Sequence, residues 1–172
     1  MNEILRTIEE RRSIKKFKSE MPRREDIEAI LKAGSEAASG RNRQSSVMIA
    51  ITDPVLRKKL MEANASILGA EIDPFYNAPV VIAVLAKKEV NTYIYDGSLS
   101  LGNMMLAAHS LGLGACWVHR AKETFEMPEW RELVSNLGLV GEYEGIGNLA
   151  VGYADCEYPE KKERLDGRIF FI

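Results

Sequence analysis

The stretch Arg11-Arg12-Ser13-Ile14-Lys15-Lys16-Phe17 places four cations and a hydroxyl within seven residues. Arg11 and Arg12 offer planar, multi-donor forks, Ser13 a hydroxyl and Lys15 a compact point charge. That set suits a phosphate joined to a polar heterocycle. Taken alone it reads more readily as cations at a helix C-terminus, where they favour the macrodipole. A second cationic set, Lys161, Lys162 and Arg164, lies far along the chain. By itself it reads equally well as a solvated surface run. Folded beside Arg11 and Ser13, it would complete a phosphate clamp with bidentate capacity. Between the two lies a polar loop of small and amide residues, Ala38-Ser39-Gly40-Arg41-Asn42-Arg43-Gln44-Ser45-Ser46.

Other chemistries lack their residues. Gly112-Leu113-Gly114 follows a helical pattern and has no third glycine, so it is not a dinucleotide fingerprint. No phosphate-binding loop of the P-loop type is present, and no Ser or Cys sits in a nucleophile motif. His109 and His119 are the only histidines, too few for a self-sufficient metal centre. Cys116 and Cys156 stand apart and read as reduced thiols. An enzyme with this sequence borrows its chemistry from a cofactor. The 172 residues suit one domain, 1–172, and the 46% hydrophobic and 28% charged content is that of a water-soluble globular chain. A net charge of −2 argues against a nucleic-acid partner. The longest apolar run, Ala78 to Ala86, suits a buried strand and not a membrane span. The polar opening of the sequence lacks a signal-peptide pattern, so the expected location is the cytoplasm.

The elements that must position these residues are readable from spacing. Ile4, Leu5 and Ile8 predict a first helix from the N-cap Asn2 to Glu10, running into the cationic cluster. Glu25 to Ala37 reads as a second helix and Val47 to Ile51 as a strand. Thr52-Asp53-Pro54 caps a third helix reaching about Ala63, and Asn64 to Asn77 reads as broken helix and loop. Val80 to Leu85 is a buried strand. Asp96 to Leu111 carries few charges and is apolar round most of its surface, so it should be central. Ala115 to Val118 and Leu149 to Tyr153 are further strands, with a helix at Glu129 to Leu137 between them. The closing run Arg168 to Ile172 is expected to add to a sheet, either its own or a partner's. Helices first, then strands separated by helices, make an α+β domain with a mixed sheet.

Four of these stretches, in order, resemble the nitroreductase family. Arg11 to Lys15 looks like its opening flavin-binding signature, and Ser39, Asn42 and Gln44 are similar to its Ser-x-x-Asn-x-Gln loop. Asp96 to Trp117, with Asn103 and Gly112-Leu113-Gly114, resembles its central helix and the strand that follows. Leu149 to Tyr153 with Lys162-Glu163-Arg164 resembles its closing strand and basic segment. Two departures stand out: Ser45-Ser46 replace the usual Pro-Trp, and the stretch from the Val80 strand to Asp96 is minimal, which suggests an open site.

The resemblance implies a mixed, mostly antiparallel sheet flanked by helices, in a homodimer whose C-terminal segments are exchanged. It implies two FMN sites at the dimer interface, with NADH or NADPH as electron donor. Arg11, Ser13, Lys162 and Arg164 would hold the FMN phosphate, with Arg12 beside them. Lys15 would lie near the pyrimidine edge of the flavin, and Ser39, Asn42 and Gln44 would come from the partner. Val118, His119 and Arg120 would pass the flavin N5. His119 is there either as a proton donor or flavin-tuning group, or for its backbone alone. The implied activity is ping-pong reduction of nitroaromatics, quinones or similar small-molecule acceptors. The alternatives are a specific metabolite reduction or dehydrogenation on the same scaffold, or a flavin-binding module with little turnover.

Overall fold

The protein is described by a computed structural model covering residues 1–172. Six helices and four strands alternate along the chain: α1 (Glu3–Glu10), α2 (Arg24–Ser35), β1 (Ser46–Ile51), α3 (Pro54–Leu68), β2 (Val80–Lys87), α4 (Tyr93–Ser110), β3 (Gly114–Val118), α5 (Ala121–Glu126), α6 (Pro128–Asn136) and β4 (Tyr143–Gly152). The strands form one antiparallel sheet in the order β1-β2-β4-β3. A single parallel bridge, Ser13 to Ala115, joins the cationic stretch to the outer edge of β3. The expected mostly antiparallel α+β fold is therefore present. No helix is long and apolar enough to cross a membrane.

Local sequence fixes several boundaries. The Asn2 side chain accepts from the Leu5 N–H at 2.9 Å and starts α1, and Asp53 does the same for Leu56 at 2.8 Å ahead of Pro54 in α3. Side chains alternate across the sheet, and each face carries its own core. Ile51, Val81, Ala83, Leu85, Cys116, Val118 and Ala150 face α3, α5 and α6. Val80, Ile82, Val84, Ala115, Leu149 and Val151 face α2 and α4. With both faces covered, β2 is buried from Val80 to Ala86, which is why it reads as a continuous apolar run. Each fully buried Ile or Leu here contributes about 1.5–3 kcal/mol by leaving water. The α2–α4 contact is close because Gly34 lacks a Cβ; one added there would lie 2.8 Å from the Met104 Cγ.

Three stretches depart from the sequence-based expectation. Helix α3 continues past Ala63 to Leu68, because Asn64 turns inward and finds partners in the Val118–Arg120 segment. Helix α5 was not anticipated; at six residues it is too short to show a period. Strand β4 begins at Tyr143, not at Leu149. Gly145 disguises its first half, yet a Cβ there would lie 2.3 Å from the Ala121 carbonyl oxygen, so only glycine lets α5 approach. The closing run Ile169 to Ile172 is fully exposed and joins no strand of its own chain. Helix α1 buries none of its residues, leaving Ile4, Leu5 and Ile8 on the surface.

Candidate active site

The fold brings the two cationic sets together. Arg11, Arg12, Ser13, Lys15 and Lys16 form one wall of a cleft of about 830 Å³, and Cys156 to Lys162 with Arg164 form the other. The first wall is anchored by Ile14 and Phe17, buried three residues apart, while Ser13, Lys15 and Lys16 are exposed. Backbone bonds fix its register, from the Ile14 N–H to the Ala115 carbonyl at 3.1 Å and from the Lys18 N–H to the Tyr153 carbonyl at 2.9 Å. The Asp155 N–H donates to the Lys16 carbonyl at 3.0 Å, which launches the second wall.

Positive charge dominates the cleft. Seven cationic side chains line it, against the carboxylates of Glu157 and Glu160. Lys16 pairs with Asp155 at 3.2 Å and Lys161 with Glu9 at 3.4 Å. Arg11, Lys15, Lys162 and Arg164 have no ion-pair partner. The Arg11 Nη1 is buried with no hydrogen-bond partner, a costly state for a charged donor that an anion in the cleft would relieve. Arg12 is differently placed. Its Nη1 lies 2.7–2.8 Å from the carbonyls of Glu9, Glu10 and Arg11, so one end of the guanidinium caps α1.

Beneath this wall lies Cys116, whose thiol burial pushes up from its ordinary value, while Lys15, Ser13 and Arg11 pull weakly the other way. The Lys15 ammonium stands 5.8 Å from the centre of the Tyr76 ring, within cation–π range. Tyr76 and Asn77 both adopt left-handed backbone, φ 57° and 59°. Asp73 fastens that turn by accepting from the Phe75 and Asn77 N–H groups and from Arg57.

At the end of β3, Val118 is buried and His119 exposed, and Arg120 turns left-handed at φ 72° to open α5. Asn64, fully buried, donates to the His119 carbonyl at 3.0 Å and accepts from the Arg120 Nε at 3.0 Å. The His119 backbone is thus held while its side chain is free.

The amide loop lies elsewhere. Ser39 and Gln44 line a small separate pocket of about 110 Å³ beside Asp96 and Ser100. The Gln44 N–H donates to Ser39 Oγ at 3.0 Å and its Nε2 to Asn42 Oδ1 at 3.2 Å. Arg41, Asn42 and Gln44 are left-handed, with φ of 53°, 54° and 47°. Asp96 holds this turn: its buried carboxylate accepts from the Gly40 N–H at 3.0 Å, Ser45 Oγ at 2.6 Å and Thr92 Oγ1 at 3.2 Å. Ser45, buried and bonded to Asp96, therefore packs this loop. Sequence reasoning did not single out Asp96, Asn64 or Tyr158. For Asp96 a signal was there, a lone acid opening an otherwise uncharged apolar helix.

The chain is a three-layer α+β sandwich with a cleft rich in unpaired cations beside its sheet edge. The sequence pattern of the nitroreductase family matches residues 8–153. The chain belongs to that family. It is similar to a protein of Archaeoglobus fulgidus named as an NADH dehydrogenase/NAD(P)H nitroreductase, 33% identical over 160 residues, covering 91% of this chain and 88% of the relative. Two solved structures share its fold. A nitroreductase of Bacteroides fragilis with bound FMN superposes with a TM-score of 0.89 at 26% identity, over 100% of both chains. A nitroreductase of Desulfitobacterium hafniense with bound FMN gives 0.87 at 27%, over 100% of this chain and 99% of that one.

Proposed function

We propose that this chain is an FMN-dependent NAD(P)H oxidoreductase that reduces nitroaromatics, quinones or similar electron-poor acceptors. The observation that carries the reading is a cleft lined by Arg11, Lys15, Lys162 and Arg164, none with a carboxylate partner, with the Arg11 Nη1 itself buried and unpartnered. These residues fit a phosphomonoester: Arg11, Lys162 and Arg164 supply charge and forked donors, and Ser13 a hydroxyl. Bound FMN supplies two-electron chemistry, taking a hydride from NAD(P)H and passing the electrons to the acceptor. The Lys15 ammonium, which lines the cleft, would offer positive charge to a flavin ring that gains electron density on reduction. The Val118–Arg120 segment has its backbone fixed by Asn64. Its exposed His119 leaves room for water to supply protons without a dedicated acid. Donor and acceptor take turns at one open face, a ping-pong order.

The working form is a homodimer. That reading is supported by the exposed stripe of Ile4, Leu5 and Ile8 on α1, by Leu99 on α4, and by the apolar run Ile169–Ile172. It is also supported by the separation of Ser39, Asn42 and Gln44 from the cationic cleft within one chain. The partner supplies the amide loop to complete each site, with the C-terminal segments exchanged. The test is an anaerobic visible spectrum of purified protein, before and after NADH and then NADPH. Flavin bands that bleach with one donor and return on adding a quinone support the enzyme and identify its donor. Bands that neither donor bleaches point to a binding module, and protein that takes up no FMN refutes the reading.

A further inference from the structure

Residues after Asp155 form no helix or strand, yet they carry Lys161, Lys162 and Arg164. Something must hold that wall at a set distance from Arg11 and Ser13. Beyond Asp155, the recorded tethers are an exposed ion pair, Lys161 to Glu9, and the hydroxyl of Tyr158. That hydroxyl accepts from the Arg12 N–H at 3.0 Å, donates to the Glu10 carbonyl at 3.0 Å, and lies 3.1 Å from His109 Nδ1. One proton and two lone pairs meet all three partners when His109 carries its hydrogen on Nδ1. The two rings also stack, with centroids 5.8 Å apart and planes inclined at 30°. His109 belongs to the last turn of α4, whose Met104 and Ala108 are fully buried. This wall, without helix or strand of its own, is thereby registered to the core helix α4, and through Arg12 to the opposite wall.

We propose that Tyr158 and His109 are positioning residues: a latch that sets the spacing of the two cationic walls and so gives the site its preference for a phosphorylated flavin over the unphosphorylated one. The proposal rests on reading the cleft as the seat of the FMN phosphate. Tyr158 reaches no reacting atom; it acts through the placement of Lys161, Lys162 and Arg164.

The test uses full-length protein and two variants, Tyr158→Phe and His109→Phe, each keeping an aromatic ring while removing the polar contacts. Affinities for FMN and riboflavin are measured by quenching of flavin fluorescence. The expected result is an FMN Kd raised about tenfold, the scale of one or two lost hydrogen bonds, with the riboflavin Kd unchanged. The double variant should be no worse than either single one, because both break the same latch. Equal weakening toward both flavins, or none toward FMN, overturns the selectivity. Hydrogen exchange on flavin-free protein is a separate arm: the Arg12 N–H, which donates to the Tyr158 hydroxyl, should exchange faster in Tyr158→Phe. Unchanged protection there overturns the latch itself. Wild-type protein that binds neither flavin sinks the cofactor reading and the selectivity with it, while the exchange arm still decides the latch.

Discussion

Replacing Asp96 with alanine should cost the protein much of its stability, and the size of the loss can be worked from its partners. The carboxylate is buried and accepts from a backbone N–H of Gly40 and from the hydroxyls of Ser45 and Thr92. Ser45 is itself buried, so in Asp96→Ala its hydroxyl and the Gly40 N–H lose their partner with poor access to water. Each orphaned buried group costs about 1–3 kcal/mol. With partial relaxation the sum is roughly 3–5 kcal/mol, at the upper end of single-residue effects. Against a typical total of about 5–15 kcal/mol that is a large fraction. With a urea slope of about 2 kcal/mol per molar, the unfolding midpoint should fall by about 1.5–2.5 M. The assay is urea denaturation followed by circular dichroism, at one fixed protein concentration because assembly shifts apparent stability. Ser45→Ala alone should cost less, and adding it to Asp96→Ala should cost almost nothing more, since the hydroxyl is then no longer stranded. A midpoint shift below about 0.3 M for Asp96→Ala, or simple additivity in the double variant, would refute this account of the loop.

Arg11→Met should leave the flavin-free protein as stable as the parent or more so, because it removes a buried donor that has no partner, while weakening FMN about 10- to 100-fold in a fluorescence titration. Arg57→Leu breaks a largely buried pair with Asp73 that also fastens the left-handed turn at Tyr76 and Asn77; thermal unfolding should report a loss of about 3–5 kcal/mol. Of the two free thiols, exposed Cys156 should react with a disulfide reagent at neutral pH and buried Cys116 should lag until the fold opens. Because burial raises the Cys116 thiol, the folded state holds that proton more tightly than the unfolded chain. Its contribution is present below the ordinary thiol range and is lost as pH rises through the raised value, a trend that pH-dependent reaction rates will show.

Much of this was legible in the sequence, for identifiable reasons. Helix α1 announced itself through Asn2 and the spacing of Ile4, Leu5 and Ile8, although those side chains proved to face solvent in the single chain. Strand β2 was readable because burial on both faces leaves no polar position to interrupt the run. The family expectation is borne out by a match over residues 8–153, and the two cationic sets do face each other. What stayed hidden depends on contacts distant in sequence. Asn64 looks like a helix breaker until the His119 carbonyl and Arg120 stand opposite it. Gly145 looks like a turn until the backbone of α5 occupies the space of its missing Cβ. Tyr158 is one aromatic in a charged run, and only the approach of α1 and α4 gives its hydroxyl work.

The cleft is assembled across the greatest separations in the chain: its bridges join residues 146, 148 and 152 positions apart. Both cores, by contrast, draw on nothing beyond Ala154. Burial of the sheet therefore does not depend on the second wall of the cleft, which can be altered or removed without touching either core. A chain cut after Ala154 should keep both cores while lacking Lys161, Lys162 and Arg164.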